Sequence, residues 1–211
     1  MDASPTAPAR TDSQTSAADG SGEQQPGTRT RIVRAAAVLM QRQGYEATGI
    51  KRIATDAGAT LGSLYHFFPG GKQELAVEAL RFGAQEFTDL LRTGLDSTDD
   101  PAEAVAECAR LMATTLRDSD WTDGCPVAAT ALEFIGRSPA IQHASEEALR
   151  QWRELLAAKL GAAGIAPDDA HDLACTVLST LEGAELLCRV SASEEPLHIA
   201  ARHLARLVRA Y

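Results

Sequence analysis

The sequence predicts an all-α protein of about nine helices, and three observations carry that expectation. Apolar residues recur at helical spacing through most of the chain. No run alternates Val, Ile, Thr and aromatic residues between turn signals, as a half-buried strand would. Aromatic residues are only 5% of the sequence against 45% apolar residues, so Ala and Leu must do most of the packing. At 211 residues the chain suits one domain or two small ones and is long enough to bury a core.

Residues 1–27 are Ser, Thr, Pro, Gly, Gln and Ala with almost nothing to bury, and are expected to form a disordered tail. From Thr28 onward, Ile32, Ala35, Ala36, Leu39 and Met40 fall at helical spacing, and Gly44 ends that helix as a C-cap glycine does. A short second helix fits Gly49–Ala57, with Thr48 as its N-cap. Gly58 breaks it, Thr60 caps a third helix from Leu61 to Phe68, and Pro69-Gly70-Gly71 turns the chain. A fourth, longer helix starts near Lys72 and runs to about Gly94. Ser97 to Pro101 caps a fifth, which carries Val105, Cys108, Leu111, Met112 and Leu116. After a polar loop from Asp118 to Gly124 come an apolar helix within Pro126–Gly136 and a long one from about Ser138 to Ala163. Another runs from Pro167 to Arg189 and a last from Glu195 to Tyr211. The chain divides near residues 75–80, inside the fourth helix, which sets residues 28–75 apart from residues 76–211. No internal repeat is present.

Composition excludes several classes. No apolar run reaches the ~18 residues of a membrane span, and the polar N-terminus has no apolar stretch of the ~7–15 residues that a secretory leader needs. The four cysteines, Cys108, Cys125, Cys175 and Cys188, lie far apart with no C-x-x-C pair. They suggest neither a zinc site nor a disulfide framework, and fit buried thiols in a reducing cytoplasm. The net charge of −9 is unevenly spread: residues 28–80 hold seven Lys/Arg against four Asp/Glu, while residues 81–211 hold twelve against twenty-one. The basic excess is confined to one segment, and screening over roughly 8–10 Å makes that local balance the one a partner meets.

That segment contains GATLGSLYHFFPGGK, Gly58 to Lys72. A phosphate-cradling Walker loop needs a glycine five residues before the glycine of Gly-Lys and a Ser/Thr after the lysine; those positions are His66 and Gln73. The alternative is two helices around a tight turn. Small Ala54 permits a close crossing, and Gly58 supplies the left-handed turn conformation. Ile53, Ala57, Ala59, Leu64 and Phe67 then face inward, while Leu61, Gly62, Ser63, Tyr65 and His66 line the outer side or leading end of the second helix. A helix-turn-helix presents residues to the major groove from that end. Thr60 and Ser63 can donate to phosphate or bases, Gly62 permits close approach, and Tyr65 and His66 carry polar tips. Lys72 adds charge to the exposed amides of the next helix start, Thr48 can serve similarly at the second helix, and Lys51 joins the same DNA-facing set. A helical hairpin uses the same Ala-x-x-x-Gly spacing for packing alone, so the spacing by itself leaves both readings open.

The longer stretch GYEATGIKRIATDAGATLGSLYHFFPGGKQEL resembles the N-terminal domain of TetR-family transcriptional regulators, in its Gly-Tyr, the following Thr, Ile-Ala, Ala-Gly and Leu-Tyr-His-x-Phe. The resemblance covers about Thr28 to Leu80. It implies a three-helix helix-turn-helix domain, a helical ligand-binding and dimerisation domain, and a homodimer on double-stranded operator DNA. At matching positions it implies phosphate contacts from Thr48, Thr60, Tyr65, His66 and Lys72, with Leu61, Gly62 and Ser63 nearest the bases. Two positions depart from the pattern: Leu61 stands where Lys is frequent, and Gly49 where Ser/Thr is frequent. Further on, DGCPVAATALEF resembles the LmrA/YxaF-like branch, which implies a small-molecule effector, largely apolar or aromatic, that releases a repressor from a palindromic operator.

For that effector the body offers Phe87, Met112, Leu116, Trp121, Cys125, Thr130, Glu133, Phe134, Trp152 and Leu181; taken singly these read first as simple core, while Glu133 also suits a solvent-facing or cap-pairing role and Trp121 a lid or the closing of a helix end. For a dimer, the helix Pro167–Arg189 offers the stripe Thr176, Thr180, Gly183 and Leu187, and the last helix offers Leu197, Ala201, Leu204 and Val208; a monomer burying both stripes is the alternative. A regulator without an effector and a small helical enzyme are the rival classes. The enzyme reading rests on His143 with Cys125 or Glu133, or on Asp168, Asp169, His171 and Asp172, whose acids suit a helix's first turn in any case. No cofactor or metal is expected.

Overall fold

The computed structural model describes residue 1 and residues 26–211. The tail expected to be disordered, residues 1–27, lies outside the described residues apart from Met1, Pro26 and Gly27. Among the described residues there are nine α-helices and no strand: α1 (Thr28–Gln43), α2 (Ile50–Asp56), α3 (Leu61–Phe67), α4 (Gly71–Leu95), α5 (Pro101–Asp118), α6 (Ala128–Phe134), α7 (Pro139–Ala162), α8 (Pro167–Ser191) and α9 (Glu195–Val208).

Several helix starts follow from local chemistry. Asp100 caps α5 by accepting from the Ala102 amide at 2.9 Å, and Ser138 caps α7 by accepting from Ile141. Each is followed by a proline, whose missing N–H is harmless in a first turn. Pro167 opens α8 with Asp168 and Asp169 beside it, carboxylates at the positive end of the helix dipole.

α1 packs on α4 and touches α2 and α3, and α4 continues beyond them to pack on α5 and α7. α4 is therefore shared between the N-terminal head and the body. In the body α5 lies on α9, α7 on α8, and α8 on α9, while α6 bridges α1 and α7.

Three local expectations are corrected here. α2 is capped by Gly49 with no side-chain hydrogen bond, because the Thr48 hydroxyl is buried and donates to the Gly44 carbonyl at 2.6 Å. Phe67 is 36% exposed, and Phe68 is the aromatic that turns into the core, as the residue where the chain leaves helical geometry. The residues Phe87, Met112, Leu116, Trp152 and Leu181, offered as pocket lining, are packed core. The Phe87 and Trp152 rings meet at 4.5 Å, and the Trp152 indole N–H donates to Thr88 Oγ1 at 3.0 Å. A buried indole with a partner is a satisfied core group rather than a free wall.

Candidate nucleic-acid interface and its link to the body

The turn between α2 and α3 is held by backbone bonds, the Gly58 amide to the Thr55 carbonyl at 3.0 Å and the Ala59 amide to the Ala54 carbonyl at 2.9 Å. Gly58 sits at φ +57°, in the left-handed region where a side chain is strained. Ile53, Ala54, Ala57 and Leu64 are buried and lock the two helices together. Thr60 caps α3 by accepting from the Ser63 amide at 3.0 Å, and its hydroxyl also meets Ser63 Oγ at 3.0 Å.

This leaves a surface of fixed shape. Leu61, Gly62, Tyr65 and His66 are exposed at the leading end and outer side of α3, with Ser63 partly so, and Tyr65 keeps 51% of its surface. His66 rests edge-on against Phe67 at 5.2 Å. Lys51 is exposed on α2 with no ion pair among the described residues. Lys72 is half-buried, its ammonium 4.0 Å from the centre of the Tyr45 ring, which fixes its charge at the start of α4 by a cation–π contact. The Gly70 amide at that start is already taken by Glu74 at 2.7 Å. Thr48 is removed from the surface set by its burial. Of the seven head cations, Arg29, Arg42 and Arg52 are paired with Glu78, Asp123 and Asp56.

Comparison with known proteins places this geometry. Residues 32–79 match the family described as bacterial regulatory proteins, tetR family, and residues 101–203 match the transcriptional regulator LmrA/YxaF-like C-terminal domain. The chain is 33% identical over 182 residues to the uncharacterized HTH-type transcriptional regulator YxaF of Bacillus subtilis (strain 168), covering 86% of this chain and 95% of that protein. The chain belongs to the TetR family of transcriptional regulators. A TetR transcriptional regulator from Legionella pneumophila has the same fold, with a TM-score of 0.78, 23% identity and coverage of 87% of this chain and 98% of that one. So does a cysteine mutant of the TetR family regulator CifR complexed with 26 bp double-strand operator DNA, with a TM-score of 0.73, 22% identity and coverage of 88% and 98%. The protein is thus a DNA-binding TetR-family transcriptional regulator, which sets the enzyme reading aside. Among the described residues no helix is long and apolar enough to cross a membrane.

In this TetR-family chain a second tie between head and body, besides the shared α4, runs through the segment around α6. Glu133 was offered as a ligand contact; its carboxylate instead accepts from the backbone amides of Tyr45 at 3.1 Å and Glu46 at 2.8 Å. Phe134 was placed in the pocket too, and stands edge-on against Tyr45 at 4.5 Å. The Arg42–Asp123 pair, the Gln41 amide on the Gly124 carbonyl and the Gln73 amide on Ser138 Oγ at 2.6 Å complete the junction. Trp121 is half-buried at φ +64° in the preceding loop, and Thr130 is buried.

An open groove of the body lies elsewhere. It has a volume of about 610 Å³ and is lined by Ala131 and Ile135 of the α6 segment, Ser145, Leu149 and Arg153 of α7, and Cys175, Leu178 and Glu182 of α8. None of the ten residues proposed from sequence lines it. Behind it, Cys125, Glu182 and Glu185 bring their ligand atoms within 4.8 Å of one another. The Cys125 amide donates to Glu185 at 2.9 Å, and one Glu182 oxygen is buried without a partner. Burial pushes the Glu185 carboxyl up to about 8, with the neighbouring Glu182 adding to the effect. Burial also raises the Cys125 thiol and the Glu182 carboxyl. Burial thus favours the neutral form of each member of the trio.

The two stripes offered for a dimer separate in the structure. Thr176, Gly183 and Leu187 are exposed on α8, with Thr180 half-buried between them. Leu197, Ala201, Leu204 and Val208 are buried within the protomer, so the α9 half of the expectation is corrected: its apolar stripe serves the packing on α5 and α8. Sequence reasoning missed Leu186, Val190, Ile199 and Leu207, which are exposed on the same two helices. Their signal was apolar residues lying off the main stripe.

Proposed function

We propose that the protein is a homodimeric repressor that reads a palindromic operator through α3 and releases it when a small, largely apolar or aromatic ligand occupies the groove between α6, α7 and α8. The observation that carries the reading is the α3 surface: a capped, rigid helix end presenting Leu61, Gly62, Ser63, Tyr65 and His66, flanked by Thr60, Lys51 and Lys72. Leu61, Gly62 and Ser63 lie nearest the bases, and the hydroxyls, imidazole and ammonium hold phosphates. The operator complex of the similarly folded CifR supports this mode of binding. The dimer reading is supported by the apolar surface of Leu186, Leu187 and Val190 on α8 with Ile199 on α9, whose exposures of 43–81% leave it needing cover. An isologous pairing of these helices sets two α3 helices on successive major grooves, one helical turn of DNA apart.

The test is selection of sequences from a random DNA pool by the purified protein. The expected result is an enriched palindrome whose binding falls when His66 is replaced by Ala. Enrichment of a single non-repeated motif would remove the dimeric reading. No enrichment at low salt would remove the α3 assignment itself.

A further inference from the structure

We infer that Glu133 is a positioning residue for operator binding: from the body, its carboxylate fixes the α1–α2 turn of the head and so sets the angle at which α3 is presented. The inference rests on the paired-head reading above.

Two successive backbone amides that point to one spot form a small anion-binding concavity. In the turn after α1, the amides of Tyr45 and Glu46 make such a pair, and the anion they hold is Glu133 of α6, 88 and 87 residues away. Gly44 makes the approach possible. It sits at φ +79°, and a Cβ there would collide with Glu133 Oε1. The contact is reinforced at the Tyr45 ring, which meets both the Phe134 ring and the ammonium of Lys72.

The clamp holds the one stretch of the head that leads directly into α2. Glu133 itself lies in the junction with the body, not on the α3 surface, so its effect on DNA must pass through the backbone it holds. On the opposite side of the short α6 segment, Ala131 and Ile135 line the groove. The same element therefore touches both the head and any occupant of the groove. A carboxylate accepting two amide bonds is a strong attachment, since charged acceptors bind roughly twice as well as neutral ones.

The test compares wild type, Glu133→Ala and Glu133→Gln on two duplexes: the selected palindrome, and the same DNA with one half-site scrambled. Glu133→Ala should lose roughly tenfold in affinity for the palindrome, as expected for two charge-assisted bonds. On the single half-site it should match wild type within about twofold, because each head remains folded. Glu133→Gln keeps one acceptor oxygen and should recover part of the loss. Amide hydrogen exchange at Tyr45 and Glu46 should accelerate in Glu133→Ala, while amides within α3 stay protected. Equal losses on both duplexes would make Glu133 a merely structural residue, and an unchanged palindrome affinity would deny it any positioning role; either overturns the inference. Wild-type protein that does not prefer the palindrome removes the paired-head reading itself, and the inference with it.

Discussion

The head and the body place their candidate functional groups differently. On the head, Thr60, Tyr65 and His66 stand at the surface, while Arg29, Arg42 and Arg52 are paired with carboxylates. In the body, Glu185 and Cys125 are folded inside, against a half-buried Glu182. Exposed donors stay hydrated until a phosphate or base edge replaces water, so the proposed reading face needs no rearrangement to meet DNA. The buried Glu185 carboxyl is tolerated because it holds its proton up to about pH 8, so the body's stability depends on pH. The difference teaches that, in the proposed reading, recognition is built from surface shape and response from interior balance, with α6 between them.

The largest effect should come from breaking the body's core while sparing the head. Trp152→Ala removes a fully buried ring, its Phe87 contact and the bond to Thr88, and should cost about 3–5 kcal/mol in urea unfolding followed by circular dichroism. A loss below about 1 kcal/mol would mean that the ring borders open space, as the sequence-based pocket required. A smaller effect, and one that depends on pH, is expected at Glu185. Its carboxyl holds a proton up to about pH 8 in the folded chain, against an ordinary value of 4.5. The folded state thus binds more protons between those values. The associated stability is complete below about pH 4.5 and is lost as pH rises through 8. Glu185→Gln stays neutral and keeps an acceptor for the Cys125 amide. Its melting should match wild type near pH 5 and exceed it by roughly 2–3 kcal/mol at pH 9. An equal difference at both pH values would mean that Glu185 is already ionised when folded.

The same division explains what could be read from the sequence. The head's local geometry was legible because its elements are local: a cap at Thr60, a left-handed glycine at Gly58 and a largely exposed helix face within six residues, Leu61 to His66. Where local rules competed, the reading failed. Thr48 could cap α2 or bond back to the carbonyl four residues earlier, and burial selected the second. Helical periodicity placed Phe67 inward, but the chain leaves helical angles at Phe68, and the next ring takes the core. In the body, the groove gathers residues from three elements between positions 131 and 182, and no spacing in the sequence connects them. Glu133 offered only an acid on an apolar helix, with nothing to indicate a partner 88 residues earlier. The amphipathic pattern of α9 marked a buried stripe correctly without saying whether its cover was the same chain or a second copy.

The smallest expected effect tests whether the head's surface, rather than its charge, carries recognition. Leu61 is 38% exposed at the first turn of α3, a place where the proposed binding mode would turn a lysine towards the phosphate backbone. Leu61→Lys brings a penalty, since a cation at a helix N-terminus opposes the dipole by about 0.3–1 kcal/mol. It also brings a phosphate contact that releases a counterion. The net result should be a gain of a few-fold in operator affinity at low salt. A plot of log affinity against log salt should steepen by about 0.9 for each head that makes the contact. If Leu61 instead packs on a thymine methyl, the variant should tolerate replacement of that thymine in the operator, where wild type loses about 1–3 kcal/mol per mismatched pair. A steeper slope with relaxed sequence preference would show charge substituting for shape at one position of the reading face. An unchanged slope and unchanged preference would place Leu61 away from the DNA and move the base-reading end of α3 towards Ser63 and Tyr65.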